Sequence, residues 1–141
     1  MSMLIDSNVF IAYINKSDEN HDKADELLED IMKNKYGMPF TSDYIFNETV
    51  TTVLYRTGNI ARAVDVRDLI LGNEEKEIPS FITMIFITED VLSNAWKLFL
   101  KYSEKKLSFT DCASIELIKS RGIEYIASFD KDFNGIVSRT C

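Results

Sequence analysis

Along this chain, short near-continuous apolar runs alternate with longer stretches whose apolar residues recur every three or four positions. That alternation predicts strands interleaved with helices. Met3-Leu4-Ile5 reads as a buried strand that stops at Asp6, and Ser7 to Asn15 carries a helical apolar set of Val9, Phe10, Ala12, Tyr13 and Ile14. Asn20 to Lys35 is the clearest amphipathic helix, with Ala24, Leu27, Leu28 and Ile31 on one stripe. Pro39 to Ser42 reads as a brief strand. Ile60 to Leu71 reads as a helix with Ala63, Val64, Arg67, Leu69 and Ile70 at mixed phase. Phe81 to Ile87 has strand character, and Thr88 then caps a helix through Tyr102 that gathers Val91, Ala95, Leu98, Phe99 and Tyr102 on one face. A helix beginning at Ser108 or Thr110 runs to Arg121. Glu124 to Ser128 is the next strand, and Ile136 to Arg139 is a last edge strand.

One segment is ambiguous. Thr49 to Tyr55 is rich in β-branched residues and favours a strand by propensity. As part of a helix from Asp43 to Thr57 it has Ser42 as N-cap and Gly58 as C-terminal stop, and it buries Ile45, Val50, Val53 and Leu54. The helix is the reading adopted. Strand following helix in this order implies right-handed crossovers and an α/β fold: a mainly parallel central sheet with helices on both faces. Ligands in such sheets collect beyond the strand C-termini.

With 141 residues, 45% of them hydrophobic, the chain fits one domain spanning residues 1–141 with a true core. No apolar stretch is long enough to span a membrane, and the acid at position 6 interrupts any secretory signal, so a cytoplasmic protein is expected. Cys112 falls in a helical pattern and Cys141 at the end, without metal-ligand spacing; a core thiol and a loose thiol are expected. The single histidine, His21, reads as a surface residue. Trp96 reads as a flank or interface aromatic. The net charge of −7 argues against tight nonspecific duplex binding.

Four acids change the picture. Asp6, Glu48, Asp111 and Asp130 each stand where an apolar run stops or on a helix close to such a stop. Two carboxylates about 4 Å apart repel by roughly 4 kcal/mol at an effective dielectric near 20. A cluster of four must therefore protonate, pair with a base or bind a cation. Oxygen-only ligands select Mg²⁺ or Mn²⁺ over Zn²⁺. Such an ion can make a bound water acidic enough to attack a phosphodiester. Asp6 and Asp130 fall at strand ends. Asp111 reaches the same rim only if its connection bends back. Taken alone, Asp6, Asp111 and Asp130 also fit ordinary turn or helix-start residues, whereas Glu48, among Phe46, Asn47, Thr49 and Val50, is less easily dismissed.

The neighbouring residues sharpen the set. Asp6-Ser7-Asn8-Val9-Phe10-Ile11, Phe46-Asn47-Glu48-Thr49, Leu107-Ser108-Phe109-Thr110-Asp111-Cys112-Ala113 and Ile126-Ala127-Ser128-Phe129-Asp130-Lys131-Asp132-Phe133 occur in that order over nearly the whole chain. Together they resemble the acidic motifs of PIN-domain nucleases, the family of VapC-type toxins. The resemblance implies a three-layer α/β/α sandwich with a mainly parallel central sheet and Mg²⁺- or Mn²⁺-dependent cleavage of RNA. It also implies a homodimer and a cognate antitoxin that inserts a peptide near the site. Asp6, Glu48, Asp111 and Asp130 become metal-site acids on this basis. Asn8 and Ser128 become site-lining polar residues and Asp132 an auxiliary acid, for which an ordinary loop acid is the simpler account.

Arg56, Arg62, Arg67 and Lys131 are candidate phosphate contacts, equally explained as solvated residues. Lys101, Lys105 and Lys106 read as a solvated helix end, and the charged stretch from Asn73 to Pro79 has no assignable role. Two further readings stay open beside a toxin: an RNA-processing nuclease without antitoxin, and a non-catalytic PIN-like binding module. An aspartyl phosphatase would need an acid where Asn8 stands. A phosphoacceptor receiver domain would need a lysine after its late strand, where Ser128 and Phe129 stand instead.

Overall fold

The computed structural model describes all residues 1–141. Five strands form one all-parallel sheet in the order β3-β2-β1-β4-β5. They are β1 (Ser2–Ile5), β2 (Met38–Ser42), β3 (Thr83–Ile85), β4 (Tyr125–Ala127) and β5 (Arg139–Thr140). The helices are α1 (Ser7–Ile14), α2 (His21–Met32), α3 (Asp43–Thr57), α4 (Ile60–Leu71), α5 (Glu89–Lys101) and α6 (Phe109–Arg121). The chain moves from β1 through β2 to β3, then crosses back to lay β4 on the other side of β1. Right-handed crossovers therefore place α1–α4 on one face and α5–α6 on the other. α1 packs on α2 and α3, α3 on α4, and α5 on α6. Met3, Leu4 and Ile5 of the central strand are fully buried, as a strand covered on both faces requires.

The ambiguous segment is helical. Ile45, Thr49 and Val53, four residues apart, form its buried stripe. The Thr49 hydroxyl donates to the Ile45 carbonyl at 2.6 Å and the Thr57 hydroxyl to the Val53 carbonyl at 2.7 Å. These bonds satisfy the threonines inside a helix that their propensity disfavours. Leu54, expected in the core, is exposed, and Thr49 takes a core place. Ser42 accepts from the Ile45 amide as N-cap, and Gly58 ends the helix in the left-handed conformation at φ 62°.

Several boundaries differ from the sequence reading. α2 stops at Met32 because the chain turns at Asn34, which is left-handed at φ 62°. Of Phe81 to Ile87 only Thr83–Ile85 pairs with β2. The edge strand expected over 136–139 lies at Arg139–Thr140 instead, because the amides of Ile136 and Val137 turn back onto the Phe133 carbonyl. His21 is half-buried rather than a plain surface residue: its Nδ1 lies 2.8 Å from the Ala12 carbonyl, tying α2 to α1. Cys112 is buried in the core and Cys141 is exposed. Trp96 is half-exposed and stacks on Phe99. No helix is long and apolar enough to cross a membrane.

The charged stretch after α4 has a structural role. Its Asn73 and Ile78 form an antiparallel bridge around a tight turn. The Asp68 carboxylate, 3% exposed, accepts from Lys76 Nζ at 2.8 Å, Asn73 Nδ2 at 3.0 Å and an Arg67 guanidinium N–H at 3.2 Å. Lys76 and these other donors hold its pKa down at about 2. A depressed carboxylate contributes stability above its unfolded pKa and loses it as pH falls through the folded value. Asp68→Ala is therefore expected to lower the melting temperature by several degrees at pH 7, and by less near pH 2. Limited proteolysis should find the 73–79 segment newly cleavable in the variant. An unchanged melting curve and proteolytic pattern would remove this role.

Candidate metal and phosphodiester site

The C-terminal end of β1 fixes the first acid. Asp6 follows Ile5 directly, its amide donates to the Ala127 carbonyl of β4, and its side chain caps α1 by accepting from the Ser7 amide at 2.8 Å. Its other oxygen accepts from the Ser128 hydroxyl at 2.7 Å and from Asn8 Nδ2 at 3.3 Å. Asn8 also donates to Ser128 Oγ at 3.0 Å and accepts the Phe129 amide at 3.1 Å. Asn8 and Ser128 thus lock the ends of β1 and β4 together around one carboxylate.

The other acids arrive from separate elements. Glu48 projects from the second turn of α3. Asp111 sits in the first turn of α6, within a capping box: its amide donates to Ser108 Oγ at 3.0 Å and its carboxylate accepts the Ser108 amide at 2.9 Å. Asp130 follows β4, accepts the Asp132 amide at 2.9 Å, and gives its own amide to Ser128 Oγ at 3.1 Å. Asp6, Glu48, Asp111 and Asp130 line one cleft of about 440 Å³, together with Asn8 and Ser108. The chain does bend back so that Asp111 joins the strand-end acids. Ser128 lies beneath the cleft as a support. The Asp132 carboxylate is exposed outside the lining; Asp132 serves Asp130 through its backbone.

Electrostatics show that the acids feel one another. Burial pushes the Asp6 pKa up to about 7; the Ser128 bond opposes this, and the charges of Asp111 and Glu48 add to it. Burial, then the Asp111 charge, raises Glu48; the Thr110 side chain opposes them. Burial also raises Asp111, against its Ser108 bonds, with further increments from Asp130 and Asp132. Glu48 Oε2 is buried without a hydrogen-bond partner. As the side chains stand, no three His, Cys, Asp or Glu groups are positioned to hold an ion between them. Mg²⁺ does not demand three: it keeps several waters and takes one or two carboxylates directly. An all-oxygen donor set, a buried oxygen without a donor and mutually repelling carboxylates fit a hard divalent cation.

The sequence reading missed part of the lining. Lys106, assigned to a solvated helix end, faces the cleft, as do Asp18, Glu19 and Asn20 from the α1–α2 connection. Arg56 also lines it, whereas Arg62 and Arg67 pair with Asp65 and Asp68 elsewhere. Arg56 was among the candidate phosphate contacts read from the sequence, and it shares a helix face with Glu48 and Thr52, each four residues apart. Nothing local in the sequence marks Lys106.

Comparison with known proteins bears on the family and the fold. Residues 3–137 match the PIN domain family. The 23S rRNA-specific endonuclease VapC20 of Mycobacterium tuberculosis, in two strains, is 26% identical over 132 residues, covering 94% of this chain and 92% of the relative. The crystal structure of VapC20, described as a sarcin–ricin loop cleaving toxin, superposes with a TM-score of 0.77 at 24% identity, covering 93% of this chain and 92% of that one. VapBC2 from Rickettsia felis, solved bound to a DNA fragment from its promoter, gives a TM-score of 0.67 at 14% identity, covering 99% and 98%.

Proposed function

The chain belongs to the PIN domain family, and on that premise we propose that it is a Mg²⁺- or Mn²⁺-dependent endoribonuclease, the toxin of a toxin–antitoxin pair. The observation that carries this reading is the gathering of Asp6, Glu48, Asp111 and Asp130 on one cleft at the strand ends, with Asp6 raised to about 7. Asp6, Glu48, Asp111 and Asp130 would hold the cation, directly or through its waters. When bound, the cation supplies an acidified water as nucleophile and offsets charge on the phosphate. The protein's own part is placement. Ser128 and Asn8 fix the Asp6 carboxylate, the Ser108 amide fixes Asp111, and the Asp132 amide fixes Asp130.

The toxin assignment draws on the relatives named VapC20 and VapBC2. A cognate antitoxin is the expected protein partner, and RNA in the cytoplasm the expected substrate. A homodimer is supported by Leu92, Trp96 and Leu100, an exposed apolar stripe spaced four apart on α5. The purified protein with Mn²⁺ is expected to cleave structured RNA, including a sarcin–ricin-loop hairpin, and chelator to stop it. Cleavage that survives chelator would sink the metal-dependent mechanism. Expressed alone, the chain should slow bacterial growth. Active enzyme without growth arrest would leave the nuclease standing and point to an RNA-processing role without an antitoxin.

A further inference from the structure

The cleft carries charge of both signs, brought by different elements. Asp18 and Glu19 come from the α1–α2 connection, whereas Arg56 and Lys106 come from the last turn of α3 and from the turn before α6. Arg62, Arg67 and Lys76 are neutralised by Asp65 or Asp68, but neither Arg56 nor Lys106 enters an ion pair. Glu48, Thr52 and Arg56 form one stripe of α3 along the cleft. Eight residues at about 1.5 Å rise place Arg56 roughly 12 Å along the helix from the Glu48 position. Lys106 lies only a few residues before Asp111, in a left-handed conformation at φ 58°. Asn34 and Glu77 share that conformation, so the backbone alone does not call for a lysine; the cleft distinguishes it.

An RNA strand brings a phosphate at every nucleotide to a site otherwise lined by acids. A bound cation can neutralise the scissile phosphate but not its neighbours. Free cationic side chains at the cleft supply what those neighbours need. We infer that Arg56 and Lys106 bind backbone phosphates of the RNA strand flanking the scissile one, so that the strand lies along the Glu48–Thr52–Arg56 face of α3. Asp18 and Glu19, of the strand's own sign, repel it from the α1–α2 connection. This inference rests on the nuclease reading and assigns substrate-binding roles to two residues outside the acid set.

The test is steady-state cleavage of a sarcin–ricin-loop hairpin RNA in Mn²⁺ over a KCl series, with Arg56→Gln, Lys106→Gly, Lys106→Arg and, as control, Lys97→Gln, an exposed lysine of α5 outside the cleft lining. Glycine accepts φ 58° without strain, so Lys106→Gly removes the ammonium without disturbing the turn and should melt no lower than wild type. Arg56→Gln and Lys106→Gly are each expected to raise KM about tenfold, the weight of one charge-assisted contact, with kcat little changed. Each should also flatten the slope of log kcat/KM against log salt by about 0.7, one lost phosphate contact on a single strand. Lys106→Arg should restore both, and Lys97→Gln should change neither. Unaltered KM and salt slope in both variants, or a fall in kcat alone, would overturn the inference while leaving the nuclease in place. Lowered melting temperatures in both variants would make the residues structural and overturn it too. A wild-type protein that leaves RNA intact removes the nuclease reading first, and this inference with it.

Discussion

Asp6→Asn is expected to reduce RNA cleavage by more than about 100-fold, beyond what loss of a supporting contact to a metal site costs. The residue is the point where β1, β4 and α1 meet, and its carboxylate has one oxygen on the Ser7 amide and the other on Ser128. Asparagine keeps the volume but removes the charge that a cation needs. The fold should survive the change. Holding Asp6 ionised against burial costs on the order of 4 kcal/mol above pH 7 when no cation is present, from its rise to about 7. Asparagine is free of that cost. It loses part of it back, because Ser7 and Ser128 both donate and an amide offers an acceptor to only one of them. The variant should therefore melt at or above wild type at pH 8 without cation. Circular dichroism and a cleavage time course check the two halves separately. Near-normal cleavage by a folded variant would remove Asp6 from the reaction.

Cation affinity should depend steeply on pH. Asp6 titrates at about 7 in the cation-free protein, so below that pH a cation must displace a proton. The folded pKa lies above the ordinary carboxylate value. Between about pH 4 and 7 the folded protein therefore holds a proton that the unfolded chain has released, and cation-free stability falls as pH rises across that window. Glu48 and Asp111, also raised, push the same way. A single competing proton at 7 makes the apparent Kd for Mn²⁺ about 30-fold weaker at pH 5.5 than at pH 8. At pH 8, Mn²⁺ at a hundred times its Kd should add about 2.7 kcal/mol, and at pH 5.5 the same concentration should add much less. Titration calorimetry in two buffers of different ionisation heat would detect the proton released. An affinity flat from pH 5.5 to 8, or one equal in Asp6→Asn, would contradict the assignment of Asp6 to the cation site.

Much of this was legible in the chain. The burial stripe of α2 follows from local periodicity, and the end of β1 at Asp6 from an acid meeting an apolar run. The helix over Asp43–Thr57 needed more than propensity, because its β-branched residues are tolerated only once their hydroxyls find carbonyls one turn back. The order of the four acidic motifs carried the family resemblance, and with it the four acids of the candidate site.

Other features depended on packing. The edge strand starts only at Arg139 because the Ile136 and Val137 amides turn back onto the carbonyl of the fully buried Phe133, a turn that the apolar pattern of 136–139 does not mark. Lys76 stood in a charged stretch with no assignable role until the fold brought its ammonium within 2.8 Å of Asp68. Lys106 looked like part of a solvated helix end for the same reason. The sequence by itself determined the alternation of strands and helices and the identity of the acids, because both are written in residue type and short-range spacing. Only the tertiary structure decided that Asp111 reaches the strand-end rim, that Asp132 serves through its backbone, and that Arg56 and Lys106 share the cleft. Those facts depend on distances between residues far apart in the chain, and on a burial that raises Asp6 to about 7, neither of which spacing along the chain records.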